Sequence, residues 1–335
     1  MAFKEVLLAA LAITSTALAL YMFQGSASVT QKEHLDSFLQ FNKRFGKIHG
    51  SQSELEYRYS IYLDNKKFIE EKNAQNLSFT LGENNFADLT FEEFASKYLS
   101  HTIIRNKVFR GKNMKRVFLD GGKDWRKEGK VAPVKNQGAC GSCWAFSAIG
   151  SLESAYAIKN GEIQTFSEME LVDCSGEYGN NGCNGGLMSN AFDYIKDNQI
   201  GLSADYPYRP VQGHCHADKS KTRISITDYS PISPVDVDGL VSAINNQPVS
   251  VAIEVRRDFQ LYKGGIYTSD DSCGESLNHG VLAVGYSAAG NGDDFFVVKN
   301  SWGESWGEQG FVRMAIGSGS GTCGIANEAD VYPTL

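Results

Sequence analysis

Apolar and polar positions follow two rhythms along this chain: a helical one in its front part and a strand-like one toward its end. Between Gln31 and Asn73, Glu54, Arg58, Ile61, Asn65, Ile69 and Asn73 recur at steps of four, three, four, four and four. That spacing predicts one stripe on a single long helix, opened by Ser53. A stripe mixing Glu, Arg and Asn with Ile predicts a helix crossing made through buried polar contacts. Gly82-Glu83-Asn84-Asn85-Phe86-Ala87-Asp88 follows, and Thr90-Phe91-Glu92-Glu93 then forms a capping box that starts a short helix. Residues 100–117 are basic and lack periodicity, so they read as a linker and a processing region.

From Asp124 onward glycine and cysteine become dense. Ser142 is placed to cap a helix whose apolar side carries Ala145, Phe146, Ala148, Ile149, Leu152 and Tyr156, ending at Asn160-Gly161. A second capping box, Ser167-Glu168-Met169-Glu170, opens a short helix ending near Asp173, and Met188 to Asn198 reads as a third. Beyond Pro234 the pattern becomes β-rich, with strands expected at Val249–Ile253, His279–Tyr286 and Phe295–Lys299. The last two flank a turn-rich stretch and should pair antiparallel, bringing His279 and Asn300 to one end of adjacent strands. The fold class expected is α+β, without internal repeats.

Length and charge sharpen this picture. With 335 residues, 42% of them hydrophobic, about two domain-sized units are expected. Lys4 followed by the apolar stretch Val6–Leu20 reads as a signal peptide over residues 1–28, with small residues allowing a cut after Ala19 or after Ser28. Export implies an oxidising compartment, hence paired cysteines. Residues 1–118 hold 16 Lys+Arg against 12 Asp+Glu, while residues 119–335 hold 16 against 27. The acidic body argues against nucleic acid as a partner. It also predicts attraction between a basic front part and an acidic back part.

The candidate chemistry begins with an odd count. Seven cysteines leave one thiol over if three disulfides form, and Cys143 stands at a helix start. A helix N-terminus and a nearby imidazolium both favour a thiolate. His279 lies 136 residues downstream and Asn300 a further 21. Asn300 can hold one ring N–H of His279, Trp302 can shield that bond, and Gln137 with the Cys143 N–H can form an oxyanion hole. Cys140-Gly141-Ser142-Cys143 is also a C-x-x-C of the redox type, but the odd count and the missing βαβ surroundings weigh against that use. His214-Cys215-His216 is a weak metal candidate, because Cys215 is better used in a disulfide. No metal or other cofactor is expected.

These residues resemble those of the papain-like cysteine peptidases, in the cathepsin L-like branch, from the front part to the C-terminus. The resemblance implies an inhibitory pro-region over 29–118 and a two-lobed peptidase domain over 119–335. Its helical lobe would span about 120–230 and its β-barrel-like lobe about 231–335. The Glu54-to-Asn73 stripe is similar to the interrupted E-R-F-N-I-N motif, with Tyr62 where Phe or Trp is usual, and Gly82 to Asp88 fits G-x-N-x-F-x-D. Carried onto matching positions, Cys143 would be the nucleophile, His279 the acid/base, Asn300 the orienting residue and Gln137 the oxyanion donor. The implied disulfides are Cys140–Cys183, Cys174–Cys215 and Cys273–Cys323. Asn184, Gly185 and Gly186 would line the substrate backbone together with Trp302. Leu187, Met188, Ala252, Leu277 and Gly280 would wall an apolar second subsite with Glu328 at its far end, either accepting basic residues as well or turned to solvent. Processing is expected near Phe118 to Gly121, with Asp120 where a proline is usual, and Asn76-Leu77-Ser78 is a glycosylation sequon. The implied product is a monomeric, autoinhibited endopeptidase of the secretory pathway, lysosomal, vacuolar or secreted. Its partners would be protein and peptide substrates and its own pro-region, with no stable membrane insertion once the signal is removed.

Overall fold

The computed structural model describes residues 29–100, 121–233, 235–268, 273–288, 293–327 and 330–335. The expected signal peptide, the basic 101–118 stretch, Asp120 and Glu328 lie outside the described residues.

The front part is built on α1 (Val29–Phe45), α2 (Gln52–Asn73) and α3 (Phe91–Tyr98). The cap of α2 is Ser51 rather than Ser53. Ser51 is extended, and its hydroxyl accepts from Glu54 N at 3.1 Å, whereas Ser53 already lies inside the helix. The crossing of α1 and α2 also differs from expectation, being aromatic. Tyr62 sits 5.3 Å from Phe38 and 5.1 Å from Phe41, ring centre to ring centre. The polar members of the stripe turn instead toward the segment that folds back after α2. Asn65 donates to Ala87 O and Leu89 O, Asn73 brackets Leu81, and Arg58 reaches Asp88 O and the Glu93 carboxylate. Buried amides that would be costly unpaired thus become clasps for a loop. The Thr90–Glu93 capping box is present, with both hydrogen bonds formed.

In the body, α4 (Cys143–Asn160), α5 (Glu168–Cys174) and α6 (Met188–Asn198) share a core of Trp144, Ile149, Leu152, Met169, Phe192 and Ile195. Helix α4 is buried from Cys143 to Ala155 on all faces, not on one apolar side. Its second face carries small residues, and these admit a strand. Ser147 Oγ donates to Val281 O at 2.7 Å, and a Cβ on Gly150 would come within 3.0 Å of Leu282. Ser167 caps α5 through Glu170 N, but the Glu170 carboxylate reaches across to Arg223 and Tyr194. A two-stranded ribbon, β3 (Ile200–Gly201) with β4 (Arg223–Ile224), edges this half.

The other half is one large sheet. Its order runs β7 (Tyr262–Tyr267), β10 (Phe311–Ala315), β9 (Phe295–Lys299), β8 (His279–Ser287), β6 (Val249–Ile253), β11 (Val331–Thr334) and β5 (Asp228–Pro231). Helices α7 (Val237–Ile244) and α8 (Arg257–Gln260) accompany it, and β2 (Lys123–Asp124) pairs with β8. The front part supplies one more strand, β1 (Phe79–Leu81), which pairs antiparallel with β7. Strands β8 and β9 pair antiparallel, as the turn-rich stretch between them predicted. Disulfides join Cys140 to Cys183, Cys174 to Cys215 and Cys273 to Cys323, the pairs implied by the resemblance.

Candidate active site

Cys143 is the seventh cysteine and is free, at the first position of α4 and completely buried. With Cys140 bonded to Cys183, the C-x-x-C redox pair does not exist here. Ser142 makes no capping bond through its side chain. Its hydroxyl meets Tyr208 Oη at 2.7 Å, and Tyr208 donates in turn to the Gln137 carbonyl at 2.7 Å. No motif pointed to Tyr208, because its role depends on a loop that returns from beyond α6.

From the facing sheet, β8 begins at His279 and the next residue, Gly280, donates its N–H to Cys143 Sγ at 3.3 Å. His279 Nε2 lies 2.8 Å from Asn300 Oδ1. That oxygen also accepts from Ser301 N at 2.8 Å, so it acts purely as an acceptor and assigns the proton to Nε2. His279 Nδ1 is left buried without a hydrogen-bond partner, as the basic nitrogen. Trp302 stacks on the imidazole at 4.5 Å between ring centres.

Gln137 is held on every side. Its N–H donates to Ser301 O at 2.8 Å, its Oε1 accepts from Ser301 Oγ at 2.7 Å, and its Nε2 donates to Cys140 O at 2.8 Å. The same Nε2 donates to the carbonyl of Tyr98, at 2.9 Å, from the front part of the chain. Beyond α3 the backbone is extended at Leu99, and Ser100 donates its N–H to Asn278 O at 2.8 Å. The end of α3 and the extended residues after it, Tyr98-Leu99-Ser100, therefore roof the cleft, running from the Trp302 side, where Phe94 lies 5.0 Å from that ring, toward Asn278.

Burial sets the electrostatics. Burial pushes the Cys143 thiol up to about 11, outweighing the N–H groups aimed at the sulfur. Burial also pulls His279 down to about 4 against the help of Asn300. The thiolate–imidazolium pair expected from the residue types is thus disfavoured in this covered state, because both charges would be desolvated.

The apolar subsite residues come together as Met188 and Ala252 in one cluster with Leu277 packed against it. Ala252 pairs with Gly280 across β6 and β8, and a Cβ on Gly280 would come within 3.3 Å of Met188 Sδ. Leu187 is half-buried and Asn184 exposed beside the buried Gly185 and Gly186. A Cβ on Gly186 would sit 2.8 Å from the Trp144 ring, so this glycine is required by packing. Of the weak metal candidate, Cys215 is bonded to Cys174 and His216 stacks on Tyr206.

The described residues of the front part do not carry the surplus of cations. Residues 31–100 carry 9 Lys+Arg against 11 Asp+Glu, and the excess of cations lies in 101–118. The ion pair described between the two parts has its cation on the body: Arg257 with Asp64, the guanidinium also bonding Asn65 and lying 4.4 Å over Phe68. Asn84 Nδ2 donates to Gln260 O, and Gln260 Nε2 to Phe86 O.

Comparison with known proteins agrees with this geometry. Residues 120–334 match the papain family cysteine proteases, and residues 38–94 match the cathepsin propeptide inhibitor domain. The chain is 45% identical over 306 residues to Cysteine proteinase RD21A of Arabidopsis thaliana, covering 87% of this chain and 64% of that protein. It thus spans less than two thirds of that relative's length. It is 41% identical over 308 residues to a cathepsin L-like proteinase of Fasciola hepatica, covering 88% and 92% of the two chains. Its fold superposes on a digestive procathepsin L proteinase of Tenebrio molitor with a TM-score of 0.83 at 34% identity, covering 90% of this chain and all of that one. No helix among the described residues is long and apolar enough to cross a membrane. The chain belongs to the papain family of cysteine proteases and carries a cathepsin-type inhibitory propeptide ahead of its peptidase domain.

Proposed function

We propose that this chain is the precursor of an endopeptidase that hydrolyses peptide bonds through a thioester on Cys143. One observation carries the reading: a free thiol accepts from the Gly280 N–H of the facing sheet, next to an Asn-held imidazole, under the chain's own Tyr98–Ser100 segment. With the roof gone, water re-enters the cleft and the burial penalty on both charges falls. The positive end of α4 then favours the Cys143 thiolate, and His279 Nδ1 holds the proton. Thiolate attack on a substrate carbonyl carbon forms a C–S bond and sends the carbonyl electrons to oxygen. Gln137 Nε2 and the Cys143 N–H stabilise that oxyanion. As it collapses, the C–N bond breaks and the imidazolium delivers its proton to the leaving amine. A water, deprotonated by the now neutral imidazole, attacks the thioester. The C–S bond breaks, releasing the acid and restoring the ion pair.

The same geometry explains the inhibition. Tyr98 O already occupies the Gln137 amide donor, and the strand enters from the Trp302 side, the reverse of a substrate bound with its apolar side chain among Met188, Ala252 and Leu277. An apolar residue is the preferred occupant of that subsite. Acceptance of Arg or Lys through Glu328 is tested by comparing Phe-Arg and Arg-Arg amides in the protein and in Glu328→Ala; an unchanged Arg-Arg rate removes that idea. Three disulfides suit an oxidising compartment of the secretory pathway. The decisive experiment is titration with iodoacetamide before and after acid incubation. One thiol, mapped to Cys143, should react fast only after the front part is lost. A thiol that stays slow in the processed protein overturns the proposal.

A further inference from the structure

Among the described residues, the strand pair β1–β7 is where the front part completes the body's own sheet. Strand β7 is hydrogen-bonded on its inner side to β10, and β1 occupies its outer edge. Ile266 N donates to Ser78 O at 2.9 Å, Ser78 Oγ donates to Ile266 O at 2.7 Å, and Gly82 N donates to Leu261 O at 2.9 Å. The side chains of β1 alternate: Phe79 and Leu81 are buried and Thr80 between them is exposed. Phe79 lies 4.7 Å from Tyr267, and Leu81 pairs in register with Tyr262. Gly264 and Gly265 give this edge two positions without side chains. The second is needed for close approach, because a Cβ on Gly265, at φ +98°, would lie 2.5 Å from Ser78 O.

Removal of the front part would leave this edge with unpaired main-chain groups above an aromatic floor. An edge strand of that kind is a template for another extended chain. Its outward charge is the single ammonium of Lys263, a modest guard against pairing. The floor also leads to the catalytic residues: Phe259 lies 5.2 Å from Tyr267 and 5.9 Å from Trp302, which stacks on His279. One polypeptide can therefore touch both places.

We propose that in the processed enzyme the β7 edge is a second peptide-binding site outside the cleft. It would take an extended segment of a protein substrate with large apolar residues two apart, in the antiparallel register that β1 shows. The inference rests on the proposed removal of the front part and adds a means of selecting protein over short peptide substrates.

The test uses the processed wild-type enzyme and a capped peptide of residues 77–82 as the probe. Rates are followed on an unfolded protein substrate and on a dipeptidyl amide. The probe should raise the apparent KM for the protein about threefold, as loss of one of two linked contacts does, and leave the amide rate unchanged. A probe with Phe79→Ser and Leu81→Ser should do neither. Equal inhibition of both substrates would place the probe in the cleft and overturn the proposal, as would no effect on either. Sedimentation showing β7 buried in a stable dimer of the processed enzyme would also overturn it. Absence of any amide turnover would instead count against the peptidase reading itself.

Discussion

The front part and the body are held together by different means, and the difference separates timing from chemistry. The body is stapled by three disulfides and built around α4, which is buried on all faces between helices and sheet. The front part has no cysteine. It is organised by an aromatic crossing and by polar clasps at Arg58, Asn65 and Asn73, and it lies on the body through an added strand, the Arg257 guanidinium, the Asn84 and Gln260 amide contacts, Phe86 and Phe94 against Trp302, and the roofing segment. Most of its contacts can be released without disturbing the sheet or the disulfides beneath. The body can therefore keep its fold while the cover is lost.

If the body alone carries the chemistry, the largest effect belongs to Cys143→Ala. Hydrolysis by the processed protein should fall on the order of a millionfold, while the thermal midpoint of the precursor stays close to wild type. Residual turnover above a few per cent of wild type would break the division. Gln137→Ala touches both sides of the comparison, since its amide serves Cys140 O and Tyr98 O. It should lower kcat by about a hundred- to a thousandfold and also speed alkylation of the precursor's thiol.

A smaller effect is expected at Tyr208, which ties the Gln137 carbonyl to Ser142, the residue before the proposed nucleophile. Tyr208→Phe should reduce kcat about tenfold at unchanged KM, the loss of a hydrogen bond that sets the spacing of donor and sulfur. Affinity for a peptide aldehyde, whose oxyanion reads that spacing, should fall in parallel. A change in melting temperature alone would mean that the bond is only structural.

The smallest effect concerns timing. Burial works against the charge of Glu93, but the Arg58 guanidinium and the Thr90 N–H outweigh it and hold this carboxyl below its usual range. A carboxyl lowered by folding stabilises the front part above the ordinary carboxylate range and stops doing so as pH falls through its folded value. One acid-sensitive contact then resides within the front part, in the Glu93–Arg58 pair. Glu93→Gln should quicken processing at neutral pH about threefold, flatten its acid dependence and leave the kcat of the processed enzyme unchanged. An unaltered pH profile of processing would move the sensor elsewhere.

Much of this was legible in the order of residues. The helix limits at Met188–Asn198, the strands at Val249–Ile253 and Phe295–Lys299, and the pairing of β8 with β9 follow from periodicity and turns. The surplus cysteine singled out Cys143, because parity is a property of the chain rather than of its fold. The cap at Ser51, the diverted hydroxyl of Ser142 and the fully buried α4 were not legible. Each depends on a neighbour distant in sequence or on a choice between adjacent serines that local propensity does not make.

By itself, then, the sequence determined which side chains were available for chemistry and on which kind of element each would stand, since spacing and residue type are local. Only the tertiary structure decided the charge state of those groups and which of them were occupied. Solvation of the Cys143 thiol and the His279 imidazole depends on what the folded chain packs around them, and a desolvation penalty belongs to the folded arrangement, not to any residue in it.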